Sequence, residues 1–397
     1  MITISERGKN MPSSPIRKLA TYAENAKKDG VKVYHLNIGQ PDIETPNIMM
    51  EAVQNAHLKV LEYTDSAGIL SFRQKLAAYY HSKNIQVDYS DILITIGGSE
   101  GILFAFMACL DAGDEIIVPE PFYANYIGFA IAAGIKIIPI TSTIESGFAL
   151  PPIESFREKI TPKTKGIFIC NPNNPTGYVY SEHELLQIRD LIKEKDLYLF
   201  SDEAYTEFCY EGVVKSTLTL AGVEDRVIMI DTFSKKYSAC GARIGALVTK
   251  NKAVIEAVMK FSQARLSPPT LEQIAAEAAL SLPSNYFDAT RAEYKKRRDT
   301  LMDRLHKMDG VYCQSPQGAF YAMAKLPVAD SDHFCKWLLT DFRENNATIM
   351  LAPASGFYTS PGLGKNEVRL AYVLNEQEIN KAMDCLEAAL KIYQEKY

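Results

Sequence analysis

The 397-residue sequence has no CxxC pair and no cysteine–histidine spacing suited to a metal, and its seven cysteines are scattered and odd in number. A disulfide framework and a zinc site are therefore excluded as organising features, and no other metal site is expected. Reduced thiols in a cytoplasm are the simplest reading. The six histidines are equally dispersed and read as packing or surface residues. Long hydrophobic runs are missing too. The longest, Ile102 to Leu110, is too short to span a bilayer, and Met1 to Pro15 lacks the apolar core of a signal peptide. With a net charge of −5 there is no general electrostatic footprint for nucleic acid. The one basic run, Arg291 to Arg298, suits a solvated helix face. No internal repeat or low-complexity segment is present. Neither nucleic acid nor membrane is an expected partner.

What remains is an ordinary globular composition, 47% hydrophobic and 23% charged, in a chain long enough for two domains. From about residue 90 to 250, short β-rich runs alternate with helical patterns. The runs begin at Ile92, Glu115, Ile135, Gly166, Leu197, Val227 and Ile244. Near-continuous apolar strands separated by helices predict an α/β fold, a mostly parallel sheet with helices on both faces. One helix is well marked: Ser181 and Glu184 form a capping box ahead of an apolar stripe at Leu185, Ile188, Leu191 and Ile192. Past Leu282 the pattern changes to long helices with short strand-like pieces, which reads as a smaller α+β domain. The expected division is a large domain over 46–285, with 1–45 and 286–397 forming an N-terminal arm plus the small domain.

Ligands of parallel sheets bind beyond the carboxyl ends of the strands, so the residues following each strand carry the functional reading. Gly97-Gly-Ser-Glu-Gly101 follows the first run and opens a helix from Ile102. Its small residues let backbone amides face an anion such as a phosphate. The spacing is not GxGxxG, so a dinucleotide is not indicated. Later come Tyr123, an aromatic face; Asn171-Pro-Asn-Asn-Pro-Thr-Gly177, a rigid loop projecting amides; Ser201-Asp-Glu-Ala-Tyr205, with acids at a strand end; and Thr232-Phe-Ser-Lys-Lys236. One ligand uses all of these. Pyridoxal 5′-phosphate has a phosphate, a flat ring, a ring oxygen, a basic ring nitrogen and an aldehyde that condenses with lysine.

On these motifs the sequence resembles the fold-type I, class I aminotransferases of the aspartate aminotransferase group. Asn171–Gly177 matches the family's NPxNPTG loop, and Ser201–Tyr205 its DExY segment. Ser234-Lys-x5-Gly-x-Arg243 matches its cofactor-lysine motif. Asn37–Asp42 and Val368–Tyr372 resemble its terminal segments. The match runs from about residue 14 to the end. The motif lysine lies eight positions before the arginine, which selects Lys235 over Lys236.

The resemblance implies the pyridoxal-phosphate transferase fold and a set of roles. Lys235 would bond the cofactor aldehyde and act as general acid and base. Arg243, Thr232 and Ser234, with the amides of Gly98 and Ser99, would hold the phosphate. Asp202 would pair with the ring nitrogen, Tyr205 and Asn174 with the ring oxygen, and Tyr123 would stack on the ring. Arg369 would clamp the substrate α-carboxylate, with Gly39 nearby. Tyr63 would reach the phosphate of a neighbouring subunit, implying a homodimer with shared sites.

Some positions depart from the family pattern. Tyr123 and Ala242 stand where many members have Trp. Lys236 replaces a usual Thr and reads as a neighbour pointing away from the cofactor. Ser99-Glu100 replaces a Lys-Gln pair of some aspartate-specific members. Arg265 falls where dimeric members lend residues to the partner's pocket, and is then the candidate for a substrate side-chain carboxylate in the neighbouring subunit's site, with a surface role as the alternative. The expected reaction moves an amino group from an amino acid, aspartate or glutamate favoured, to a 2-oxo acid such as 2-oxoglutarate. Aminotransfer from neutral or aromatic amino acids, and a C–S lyase reaction on the same fold, stay open. A regulatory cofactor-sensing domain is disfavoured, because no helix-turn-helix segment precedes residue 46.

Overall fold

The computed structural model describes residues 2–397. Its centre is a seven-stranded sheet in the order Ile92–Ile96, Ile244–Val248, Val227–Thr232, Tyr198–Asp202, Thr164–Cys170, Glu115–Glu120, Lys136–Thr141. All neighbours run parallel except Ile244–Val248, which is antiparallel to both strands beside it. Each of the seven apolar runs thus becomes a strand of a single α/β sheet.

Pleating sends successive side chains to opposite faces. Phe168, Phe200, Ile228 and Ile230 enter one hydrophobic core, whereas Ile167, Leu199, Val227 and Met229 enter the other. Both faces are dry, which is why these strands read as continuous apolar runs instead of alternating ones.

Two helices show how the sequence sets local geometry. Glu182–Lys195 begins with a capping box in which Ser181 accepts from the Glu184 amide and the Glu184 carboxylate accepts from the Ser181 amide. Gly97–Cys109 starts at Gly97, five residues ahead of the apolar run. Gly97 has φ +68, a left-handed conformation that turns the strand Ile92–Ile96 into the helix without a loop.

The remaining strands lie outside this sheet. Tyr312–Cys313, Tyr321–Lys325, Glu367–Ala371 and Ala352–Pro353 form an antiparallel four-stranded sheet. Lys32–His35 pairs in parallel with Ala347–Met350. Arg297, on the long helix Tyr286–Leu305, bonds Asp42 at 2.6 Å and the Val373 carbonyl at 2.5 Å. The segment after Lys32–His35 is thereby tied to the C-terminal part of the chain. Among the described residues no helix is long and apolar enough to cross a membrane.

Candidate active site

A cavity of about 680 Å³ opens at the carboxyl ends of the parallel strands. Its wall gathers side chains from distant parts of the chain. Asp202 ends the strand Tyr198–Asp202, and Thr232 ends Val227–Thr232. Because Asp202 follows Phe200 by two residues, the pleat places it on the Phe200 face, the face of the cavity.

Lys235 sits on the one-turn helix Phe233–Lys236, whose N-cap Thr232 accepts from the Ser234 amide. Its ammonium donates to the Gly39 carbonyl at 2.7 Å and meets no carboxylate; Cys240 Sγ is 3.8 Å away. Gly39 is required there: a Cβ would fall 1.9 Å from the Tyr321 hydroxyl. The chain therefore crosses Tyr321 close enough to bring its carbonyl onto Lys235.

The cavity has an anion-binding end. The helix Gly97–Cys109 has no side-chain N-cap, and Gly98 and Ser99 of its first turn line the wall. Thr232 and Ser234 hydroxyls lie 2.9 Å apart beside them. Arg243 extends over Gly97 and donates to the Cys240 carbonyl at 3.1 Å.

Asp202 lies on the cavity floor. One of its oxygens accepts from the Tyr126 hydroxyl at 2.7 Å and the other from the Ala204 amide at 3.2 Å. Burial pushes its carboxyl pKa up, opposed by these hydrogen bonds and by the charge of Lys235. The Tyr205 hydroxyl sits 3.0 Å from that of Tyr321 and 3.4 Å from the Asn174 amide. The half-buried Tyr123 accepts from Asn125 at 2.7 Å.

Arg369 closes the other end. It is 1% exposed, yet it has no ion pair among the described residues. Its guanidinium donates to Asn174 Oδ1 at 2.9 Å and to the Asn37 carbonyl at 2.6 Å, and it lies over the Tyr321 and Phe357 rings. Nε has no partner at all. Burial lowers its pKa, with the Tyr321, Tyr205 and Tyr123 hydroxyls acting in the opposite direction. A buried guanidinium without a carboxylate is costly, and it favours an anionic ligand at this position.

The structure brings Gly39, Gly98, Ser99, Tyr123, Asn174, Asp202, Tyr205, Thr232, Ser234, Lys235, Arg243 and Arg369 to this one wall. It does not bring Tyr63 or Arg265 there. Tyr63 is 78% exposed. Arg265 is not the surface residue that was its alternative. Its side chain is 11% exposed and held by Glu100 at 2.8 Å and the Ser66 carbonyl at 3.0 Å. Lys236, 3% exposed, turns to the opposite face and pairs with Asp231 at 2.5 Å. Sequence reasoning missed Tyr126, Tyr321 and Arg17. Tyr126 was legible in part, since it lies only three residues past Tyr123, and the two rings meet edge to face with centroids 5.4 Å apart. The other two arrive by long-range folding that no local spacing announces.

This fold, with a lysine and an unpaired buried arginine on the wall of one cavity at the carboxyl ends of its strands, marks an enzyme of the α/β class. The sequence matches the family model for aminotransferases of class I and II over residues 31–386, and the chain belongs to that family. It is 33% identical to the aspartate aminotransferase of Thermotoga maritima, over 97% of this chain and 98% of that one. It is 31% identical to the aromatic-amino-acid aminotransferase 2 of Thermococcus litoralis, over 98% and 99%. The solved aspartate aminotransferase of Thermus thermophilus with maleate superposes with a TM-score of 0.90 at 29% identity, covering 98% of this chain and all of that one. The family uses pyridoxal phosphate, and the chain is an aminotransferase.

Proposed function

We propose that the cavity binds pyridoxal 5′-phosphate and transfers the amino group of an acidic amino acid to a 2-oxo acid. When bound, the group supplies an aldehyde and an electron-withdrawing ring. The wall fits it. The uncapped amides of Gly98 and Ser99, the Thr232 and Ser234 hydroxyls and Arg243 are donors suited to a phosphate. Tyr123 offers a face for the ring, Asp202 a carboxylate for the ring nitrogen, and Tyr205 and Asn174 donors for the ring oxygen. Lys235 is the amine within the same wall. Its Nζ, as a neutral amine, would take the substrate α-proton and, as the resulting ammonium, return it, a cycle that no carboxylate ion pair impedes by holding the lysine protonated. Arg369 clamps the substrate α-carboxylate, and Gly39 covers it.

The observation that carries the reading is the pair Lys235 and Arg369, both left without a carboxylate in one cavity whose floor is Asp202. The test is a single half-reaction. Holoenzyme given an amino acid but no acceptor should release about one 2-oxo acid per site and stop. Continuous release with ammonia would identify a lyase instead. Aminotransfer from neutral or aromatic donors is the second reading, favoured by the likeness to the Thermococcus litoralis enzyme.

The working unit in this proposal is a homodimer. Leu58, Val60, Leu61 and Tyr63 form an exposed apolar stretch, 47–78% exposed, of the kind that a second copy covers. Tyr63 would then act on the partner's phosphate. Mixing Tyr63→Phe with Lys235→Ala should give hybrids in which one site is doubly damaged and the other intact. Full activity from a species of monomer mass would refute this.

A further inference from the structure

We propose that Arg17, on the N-terminal segment, recognises the side-chain carboxylate of an acidic substrate within the same subunit. This rests on the aminotransferase reading above and deepens it, because Arg369 reads only the group that every α-amino acid shares.

Four cationic side chains line the cavity, Arg17, Lys235, Arg243 and Arg369, against one carboxylate, Asp202. Arg243 stands at the phosphate end, Arg369 at the α-carboxylate and Lys235 at the reacting atoms. Arg17 is the cation left over. No described residue forms an ion pair or a side-chain hydrogen bond with it. Its neighbour Lys18 differs, being paired with Asp332.

The position of Arg17 is built by the fold. The Ile16 carbonyl accepts from Asn37 Nδ2 at 3.1 Å. Pro15 packs on Gly356, where a Cβ would come within 2.2 Å of the proline ring. The Arg17 and Lys18 amides both donate to the Ser14 carbonyl. With both flanks tied down, the backbone that carries Arg17 is fixed at the cavity rim, and its side chain lines the wall. Tyr123 lies within electrostatic reach of both arginines: burial raises its phenol to about 12, and the charges of Arg369 and Arg17 both oppose that rise. The two guanidiniums thus act across the same end of the cavity. Arg265 is ruled out for this role within its own subunit, since Glu100 already neutralises it.

An exposed guanidinium keeps its hydration until a ligand arrives, so it imposes little penalty on an empty site. It forms a two-bonded fork with a carboxylate once one enters. Arg17 therefore selects acidic donors without making neutral ones impossible.

The test uses holoenzyme carrying Arg17→Gln and Arg17→Lys. One readout is the ratio of kcat/KM for aspartate or glutamate to that for alanine or phenylalanine. The other is calorimetric binding of succinate against propionate, neither of which reacts. Arg17→Gln should lower the acidic-to-neutral ratio about 100-fold and remove the preference for succinate. Arg17→Lys should fall between it and the wild type. A ratio and a succinate preference both within threefold of the wild type would overturn the assignment. So would a wild-type enzyme that transaminates neutral donors and binds succinate no better than propionate, although the aminotransferase reading would then stand. If no amino acid were transaminated at all, that reading would fail, and the succinate preference would still decide whether Arg17 binds a second carboxylate.

Discussion

The two faces of the central sheet hold nearly the same residue types and treat them oppositely. On one face lie Asp202 and Lys235. On the other lie their chain neighbours Glu203 and Lys236, with Asp231, around a second cavity of about 400 Å³. There every charge has a partner. Lys236 pairs with Asp231, which also accepts from the Tyr80 hydroxyl at 2.9 Å. Glu207 accepts from Tyr79 at 2.5 Å and from Lys83 at 2.7 Å. Glu203 accepts from the Thr217 amide and hydroxyl and from Ser201. In the first cavity Lys235 and Arg369 are satisfied only by carbonyls and an amide. Residue type therefore does not mark the reactive face. A face that pairs its charges internally is held rigid, and a face that leaves them unpaired has kept them for a ligand.

The comparison breaks most sharply at the two lysines. Lys235→Ala should abolish turnover, whereas Lys236→Ala should keep most of it per folded molecule; steady-state assays of both variants decide this. Asp202→Asn comes next. It should keep much of the cofactor binding while slowing α-proton removal by about 10³-fold, read in single turnovers. A near-native rate would remove Asp202 from the site.

On the paired face the effects are on stability. Lys236→Met leaves Asp231 buried without its ion-pair partner, which should cost about 3–5 kcal/mol in urea denaturation, softened by the hydrogen bonds that Tyr80 and the Thr232 amide still donate. The double variant Asp231→Asn/Lys236→Met should recover a large part of the loss. The smallest effect is that of Glu203. Burial pushes its carboxyl up to about 7 from an ordinary 4.5, its hydrogen bonds opposing. The folded state thus holds a proton that the unfolded chain has lost. The contribution of Glu203 to stability should fall as pH rises from about 4.5 to 7 and level off above, by about 3 kcal/mol at most. Glu203→Gln should flatten that fall, as denaturation at pH 5 and pH 8 would measure.

Much of this was legible in the sequence, for definite reasons. The seven apolar runs became the seven strands because burial on both faces leaves no alternation to confuse them with surface. Ser181 and Glu184 marked a helix start because the capping box is local chemistry. The start of Gly97–Cys109 was placed late, because a glycine at positive φ begins the helix before any apolar residue appears. The reversed direction of Ile244–Val248 left no trace, since a strand buried on both faces has the same composition either way. The cavity residues were readable where they follow strands. Arg17 and Tyr321 were not, because each reaches the wall from a segment remote in sequence. Arg265 illustrates the converse. Its cation was visible, but its partner Glu100, 165 residues away, was not paired with it by any local rule.

The central claim is that the chemistry belongs to the unpaired face, and reductive trapping tests it most directly. Protein loaded with pyridoxal phosphate is treated with borohydride, digested, and mapped by mass spectrometry. The account predicts the pyridoxyl label on Lys235 and none on Lys236. Label on Lys236 would mean that the pairing with Asp231 does not keep that lysine out of the reaction, and the distinction between the two faces would be wrong.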